Sequence, residues 1–160
     1  MYKSIFKVFI IGVFLSVSSF ANAQSGCKSI KNKCDGFGEP YKYSGQSKSG
    51  VFELGQSSEF KMTTYGGFEY SVSLCADKQL KGIFFRIKEK SNNGTVLYDG
   101  QAEGDEMNWK QFYIEDSKSL IIEVVVPEGD ESKGEIDYED TYGCVAIIIE
   151  YNKIGKKGFN

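Results

Sequence analysis

The sequence predicts an all-β fold: a sandwich of two sheets built from about eight short strands, with a short N-terminal helix tied on by disulfides. Three observations carry that expectation. Short β-branched and aromatic segments recur from Tyr41 to Tyr151, separated at close intervals by turn residues. Several of them alternate apolar and polar side chains with a period of two, as a half-buried antiparallel strand does. Four cysteines, an even number, stand in a chain whose first residues have the form of an export signal.

The export signal constrains everything after it. Lys3 and Lys7 give a positive start, Ile5 to Phe20 is almost wholly apolar or small, and Ala21-Asn22-Ala23 supplies a small–x–small cleavage pattern. Residues 1–23 are therefore expected to be a signal peptide, cut before Gln24. The apolar run falls short of the roughly 20 residues that cross a bilayer, so no stable membrane span is expected after cleavage. Gln24 stands where a lipoprotein signal wants a bulky aliphatic residue, which argues against lipidation of Cys27.

What remains is the size of one domain and long enough to bury a core. Losing Lys3 and Lys7 leaves 17 basic against 22 acidic residues, a net charge of −5. Such a surface repels phosphate backbones, and Arg86 is the one arginine, so nucleic acid is excluded as an expected partner.

Residues 24–40 form the cysteine-containing segment. Between Ser25, a candidate N-cap, and Gly36, a candidate stop, the stretch Cys27-Lys-Ser-Ile-Lys-Asn-Lys-Cys34 reads as a two-turn helix. In a helix Cys27 and Cys34 would lie roughly 10.5 Å apart, beyond the about 7 Å that a disulfide spans. Each would then pin the helix to the sheet through Cys75 or Cys144. If the segment is a loop, Cys27–Cys34 and Cys75–Cys144 become the alternative. With no CxxC pair and no histidine, disulfides are favoured over a metal or redox role for all four.

The strands follow over 41–152. Gly50–Leu54, Ser58–Tyr65 and Phe68–Ala76 come first; in the third, Phe68, Tyr70, Val72 and Leu74 alternate with Glu69, Ser71 and Ser73. Gly66-Gly67 has the composition of a hairpin turn between the second and third. Gly82–Glu89 and Thr95–Asp99 are joined by Ser91-Asn-Asn-Gly94, and Asn108–Ile114 comes next. Ser119–Val126 and Gly143–Tyr151 are the most apolar and read as central strands buried on both faces. Gly129 to Asp140 is a long polar insertion, and 153–160 a tail without periodic pattern that is expected to fray.

Tyr41 to Tyr151 resembles the small jelly-roll domains of the bacterial pre-peptidase C-terminal type, and more closely a group of secreted proteins of Bacteroidetes-type bacteria. The residues that carry the resemblance are Gly45-Gln-Ser-Lys-Ser49, Gly67-Phe-Glu-Tyr-Ser-Val-Ser-Leu-Cys75, Val96-Leu-Tyr-Asp99 and Gly143-Cys-Val-Ala-Ile-Ile-Ile149. It implies a jelly-roll-like sandwich and an accessory or envelope role, and brings no catalytic residues.

The residues themselves also argue against catalysis. Without histidine there is no Ser-His-Asp, Cys-His or HExxH arrangement. The one Ser-x-x-Lys considered, Ser58–Lys61, falls on a strand rather than at the head of a helix. A glycosidase carboxylate pair needs a groove that short strands leave little room for.

Two binding candidates stand out. The acidic run offers Asp130, Glu131, Glu135, Asp137, Glu139 and Asp140 as oxygen ligands for calcium, although EF-hand spacing is not met. Its ordinary reading is a solvated loop. The second is aromatic: Tyr41, Tyr43, Tyr65, Phe68, Trp109, Phe112 and Tyr113 include residues that would stack on a sugar if exposed, with Trp109 and Tyr113 the chosen pair. Their ordinary reading is core packing. No cofactor is implied beyond that calcium.

The expected function is a non-catalytic binding or interaction module of the cell envelope, periplasmic or extracellular, with an envelope protein or polysaccharide as partner. A carbohydrate-binding module, calcium-supported or not, is the alternative, and a small envelope enzyme the third. An exposed aromatic strip would favour sugar, a carboxylate-lined cleft an enzyme, and a smooth apolar patch a protein partner.

Overall fold

Why nine strands form two layers follows from which side of each strand is apolar. The computed structural model describes residues 26–34, 36–90, 94–102, 109–129 and 141–155. These form a short helix, Lys28–Lys33, and the strands β1 (Lys42–Tyr43), β2 (Lys48–Glu53), β3 (Ser57–Thr64), β4 (Phe68–Ala76), β5 (Phe84–Glu89), β6 (Val96–Asp99), β7 (Trp109–Ile114), β8 (Lys118–Val125) and β9 (Tyr142–Lys153). All pairings are antiparallel. One sheet has the order β1-β9-β4-β7, with β2 also paired to β9; the other is β3-β8-β5-β6. No helix among the described residues is long and apolar enough to cross a membrane.

The core lies between the sheets. Tyr70, Val72 and Leu74 of β4 and Val145, Ile147 and Ile149 of β9 face Met62, Phe85, Ile87, Leu120, Ile122 and Val124 of the other layer. Alternation on β4 thus predicts its inward side chains Tyr70, Val72 and Leu74 correctly.

β9 is the longest strand and is lined on both edges. β4 runs along one side from Val145 to Lys153, and β2 then β1 share the other. Between β1 and β2 the chain steps off the ladder at 44–47. The buried Ser47 hydroxyl accepts the Ile149 N–H at 2.9 Å, and the Ser44 N–H donates to the Ile149 carbonyl at 2.8 Å, so the step leaves Ile149 satisfied.

β9 is buried on both faces, as its composition predicts. Its inner face is core; on the outer face Ala146 and Ile148 lie under Cys27 and Ile30. Disulfides Cys27–Cys144 and Cys34–Cys75 hold the helix there, with Cα separations of 5.3 and 5.9 Å. The helix is 3-10 rather than α, and Cys27 takes the N-cap position without a side-chain bond. Ser25 lies outside the described residues.

Two expectations fail. β8 is buried on one face only, because nothing covers its other side but charged neighbours: Glu123 meets Arg86 at 3.2 Å and Lys88 at 3.0 Å. Gly66-Gly67 does not close a hairpin, because β3 and β4 lie in different sheets. It is instead a corner, where the Glu115 carbonyl oxygen occupies the space a Cβ on Gly66 would need and Gly67 takes φ +79°. By contrast β5 and β6 do pair, across the turn-rich stretch that joins them.

Candidate functional site

The outer face of the five-stranded sheet carries the candidate site. On edge strand β7, Trp109, Gln111 and Tyr113 share one face, opposite Ser73, Ser71 and Glu69 of β4. Trp109 is 38% and Tyr113 52% exposed.

After the helix the chain crosses this face as a strap over residues 36–41. The Phe37 ring stands edge-on to Trp109, with centroids 5.1 Å apart at 74°, and tilts against Tyr41 at 5.7 Å. Its backbone N–H donates to Glu150 Oε2 at 2.9 Å, and Glu150 is buried beneath. Gly36 permits that approach, since a Cβ there would sit 2.7 Å from Glu150 Oε1. Tyr41 donates its hydroxyl to Glu69 Oε2 at 2.6 Å and accepts from Gln111 Nε2 at 2.9 Å. Burial and the Glu69 carboxylate push the Tyr41 phenol up to about 12.

Between strap and sheet lies a recess of about 490 Å³, lined by Trp109, Phe37, Gly36, Ser73, Leu74 and the Cys34–Cys75 disulfide. The buried Ser73 hydroxyl has no hydrogen-bond partner among the described residues, and neither does that of Ser71 on the same face. Each can donate one bond and accept others. The two carboxylates nearby, Glu69 and Glu150, both hold the strap. The arrangement suits recognition: two aromatic surfaces, a disulfide wall and hydroxyl, amide and carboxylate groups at short range.

Of the seven aromatics considered from sequence, Tyr41 and Trp109 meet at Phe37, while Tyr113 lies farther along the same face of β7 and does not line the recess. Phe68 and Phe112 pack against the core, and Phe112 stacks on Tyr70. Tyr43 and Tyr65 are exposed, Tyr43 on β1 and Tyr65 at the β3–β4 corner. Sequence reasoning missed Phe37. Its signal was an aromatic between Gly36 and Gly38, outside any alternating strand. The calcium candidates Asp130, Glu131, Glu135, Asp137, Glu139 and Asp140 lie outside the described residues. Among the described residues no group of three or more His, Cys, Asp or Glu is placed to hold a metal.

Fold and recess together define a disulfide-pinned β-sandwich with an aromatic-walled recess on its outer face. No protein-family model matches the chain, and no curated protein matches it in sequence. Among solved structures the chain is similar to PliG of Aeromonas hydrophila, a periplasmic inhibitor of g-type lysozyme, at 11% identity and a TM-score of 0.49, over 74% of this chain and 93% of that one.

Proposed function

We propose that this is an exported, non-catalytic binding module, working in the periplasm or outside the cell, that recognises glycans through the recess under Trp109 and Phe37. The observation that carries the reading is the pairing of the exposed Trp109 ring and the half-buried Phe37 ring with an unpaired Ser73 hydroxyl at one recess. Sugar rings present flat C–H faces and hydroxyl edges. Trp109 and Phe37 would take the first and Ser73, with Gln111 at the margin, the second. Glu69 and Glu150 act as latches for the strap, which favours binding over acid–base turnover.

We infer a jelly-roll wrapping as well. Counted from β2, the sheets read first-eighth-third-sixth and second-seventh-fourth-fifth. That wrapping hosts many functions, so the site and not the fold supports the assignment.

Affinity electrophoresis through gels loaded with single polysaccharides, together with a glycan array, tests the proposal. The protein should be retarded by at least one glycan, and Trp109→Ala should run free with its melting curve still cooperative. Retention of no glycan, or equal retention of Trp109→Ala, would overturn it.

A further inference from the structure

The two sides of the sandwich differ among the described residues. On the β7/β6 side Lys110 Nζ sits 4.6 Å over the ring of buried Tyr98 and bridges the two sheets. On the β2/β3 side a groove of about 280 Å³ leads between the layers. Its depth comes from two small residues at inward positions. Gly50 stands opposite Val145 on β9, and Ser58 opposite Val124 on β8, where larger side chains would close the edge. A Cβ on Gly50 would meet only the Phe52 ring, at 3.9 Å. Phe52 and Phe60 line the groove, and Val145 and Ile147 are buried at its base.

The groove is held open at fixed width. Beyond one end the Gln46 side chain joins the sheets, accepting the Thr63 N–H at 2.8 Å and donating to its carbonyl at 2.9 Å. At the other, the β2–β3 turn is tied down by Gly55 N–H to Pro127 and by Val126 N–H to Gln56. The two ends differ in charge. Lys48 lines the groove at the Gln46 end and has no ion-pair partner among the described residues, whereas Glu128 lies against Gly55 at the turn. From Lys48 to Phe52 the strand spans about 13 Å.

We propose that this groove binds the unbranched chain of a medium-length fatty carboxylate, with the carboxylate at Lys48 and the chain running toward Phe52. A narrow, preformed, apolar slot with one cation at one end matches that ligand in shape and charge. The site is separate from the aromatic recess and stands independently of the glycan reading.

The test is calorimetric titration of the protein with decanoate below its micelle concentration. Saturable binding of one decanoate per chain is expected. Gly50→Leu and Ser58→Leu, filling the groove from opposite walls, should each weaken it by at least about tenfold. Lys48→Gln should weaken it about threefold and flatten its salt dependence, while Trp109→Ala should leave it unchanged. Intermolecular NOEs from the decanoate chain to the Phe52 and Phe60 rings in the unaltered protein give a readout that needs no variant. Absence of saturable binding, binding by both leucine variants as tight as that of the unaltered protein, or NOEs confined to other residues would overturn the proposal.

Discussion

If the strap is seated on β7 through the Phe37–Trp109 contact, the two rings must be energetically coupled. The perturbation is a double-mutant cycle of Phe37→Ala, Trp109→Ala and the pair. Edge-on aromatic pairs at such spacing add about 0.5–1.5 kcal/mol beyond buried area, and the observed centroid distance of 5.1 Å at 74° is within the favourable range. Trp109 is 38% exposed, so its own truncation should cost about 2 kcal/mol. That is below the about 3–5 kcal/mol of a fully buried ring. Urea unfolding followed by circular dichroism measures all four proteins on the same scale, and the coupling is the shortfall from additivity. A coupling of about 0.5–1 kcal/mol is expected. Less than about 0.3 kcal/mol would be ordinary additivity, and would mean that Phe37 does not wall the recess. Trp109 is the sole tryptophan, so Phe37→Ala should also shift its emission to the red.

Further outcomes follow from other parts of the fold. Replacing Cys34 and Cys75 by serine should cost about 4 kcal/mol, and replacing Cys27 and Cys144 about 5 kcal/mol, because the second bond spans 117 residues against 41; denaturant midpoints give the order. On Asp99 and Glu123 burial works upward, but the hydrogen bonds and charges of Arg86 and Lys88, with the Gln101 and Ala102 N–H groups on Asp99, outweigh it and hold both carboxyls low. Their stabilisation is full above the unfolded carboxylate range and lost as pH falls through the depressed values. The melting temperature should therefore drop below about pH 4, and Arg86→Ala should flatten that slope in scanning calorimetry. Tyr41 has the opposite sign: its contribution is full below about pH 10 and lost as pH rises toward about 12, so Tyr41→Phe should remove a late phenolate step near pH 12 in an ultraviolet titration. Gly66→Ala, driven against the Glu115 carbonyl, should cost about 2 kcal/mol or more in thermal unfolding.

Strand content was legible because the physics behind it is local. Tyr70, Val72 and Leu74 advertise their inward face through a period of two, whatever they pack against. Sheet membership is not local, and that is why Gly66-Gly67 misleads: a glycine pair needed for a tight corner under Glu115 has the same composition as one in a hairpin. The expectation that β8 is buried on both faces fails for a related reason. Ile121, Val125 and Glu123 share its outer face, and only the partners from β5 and β3 decide that this face stays at the charged surface. For the disulfides the helical alternative indicated the right partners, since a helix holds Cys27 and Cys34 apart. Half of the recess was legible in Trp109, whereas Tyr113 shares its strand face without lining the recess. The other half is Phe37, placed by Glu150 from 113 residues away, a distance no sequence window spans.

The Cys27–Cys144 bond has a mechanical consequence. Tension applied to the chain outside these two residues passes straight from one to the other through the sulfurs and bypasses everything between them. Strands β1 to β8 are then bypassed along the chain and feel force only sideways, through their pairing with β9. That force enters through the part of β9 beyond Cys144, flanked on both edges by β4 and by the β1–β2 pair, so pulling would have to peel that strand from two neighbours at once and would draw Val145 and Ile147 out of the groove only as it did so.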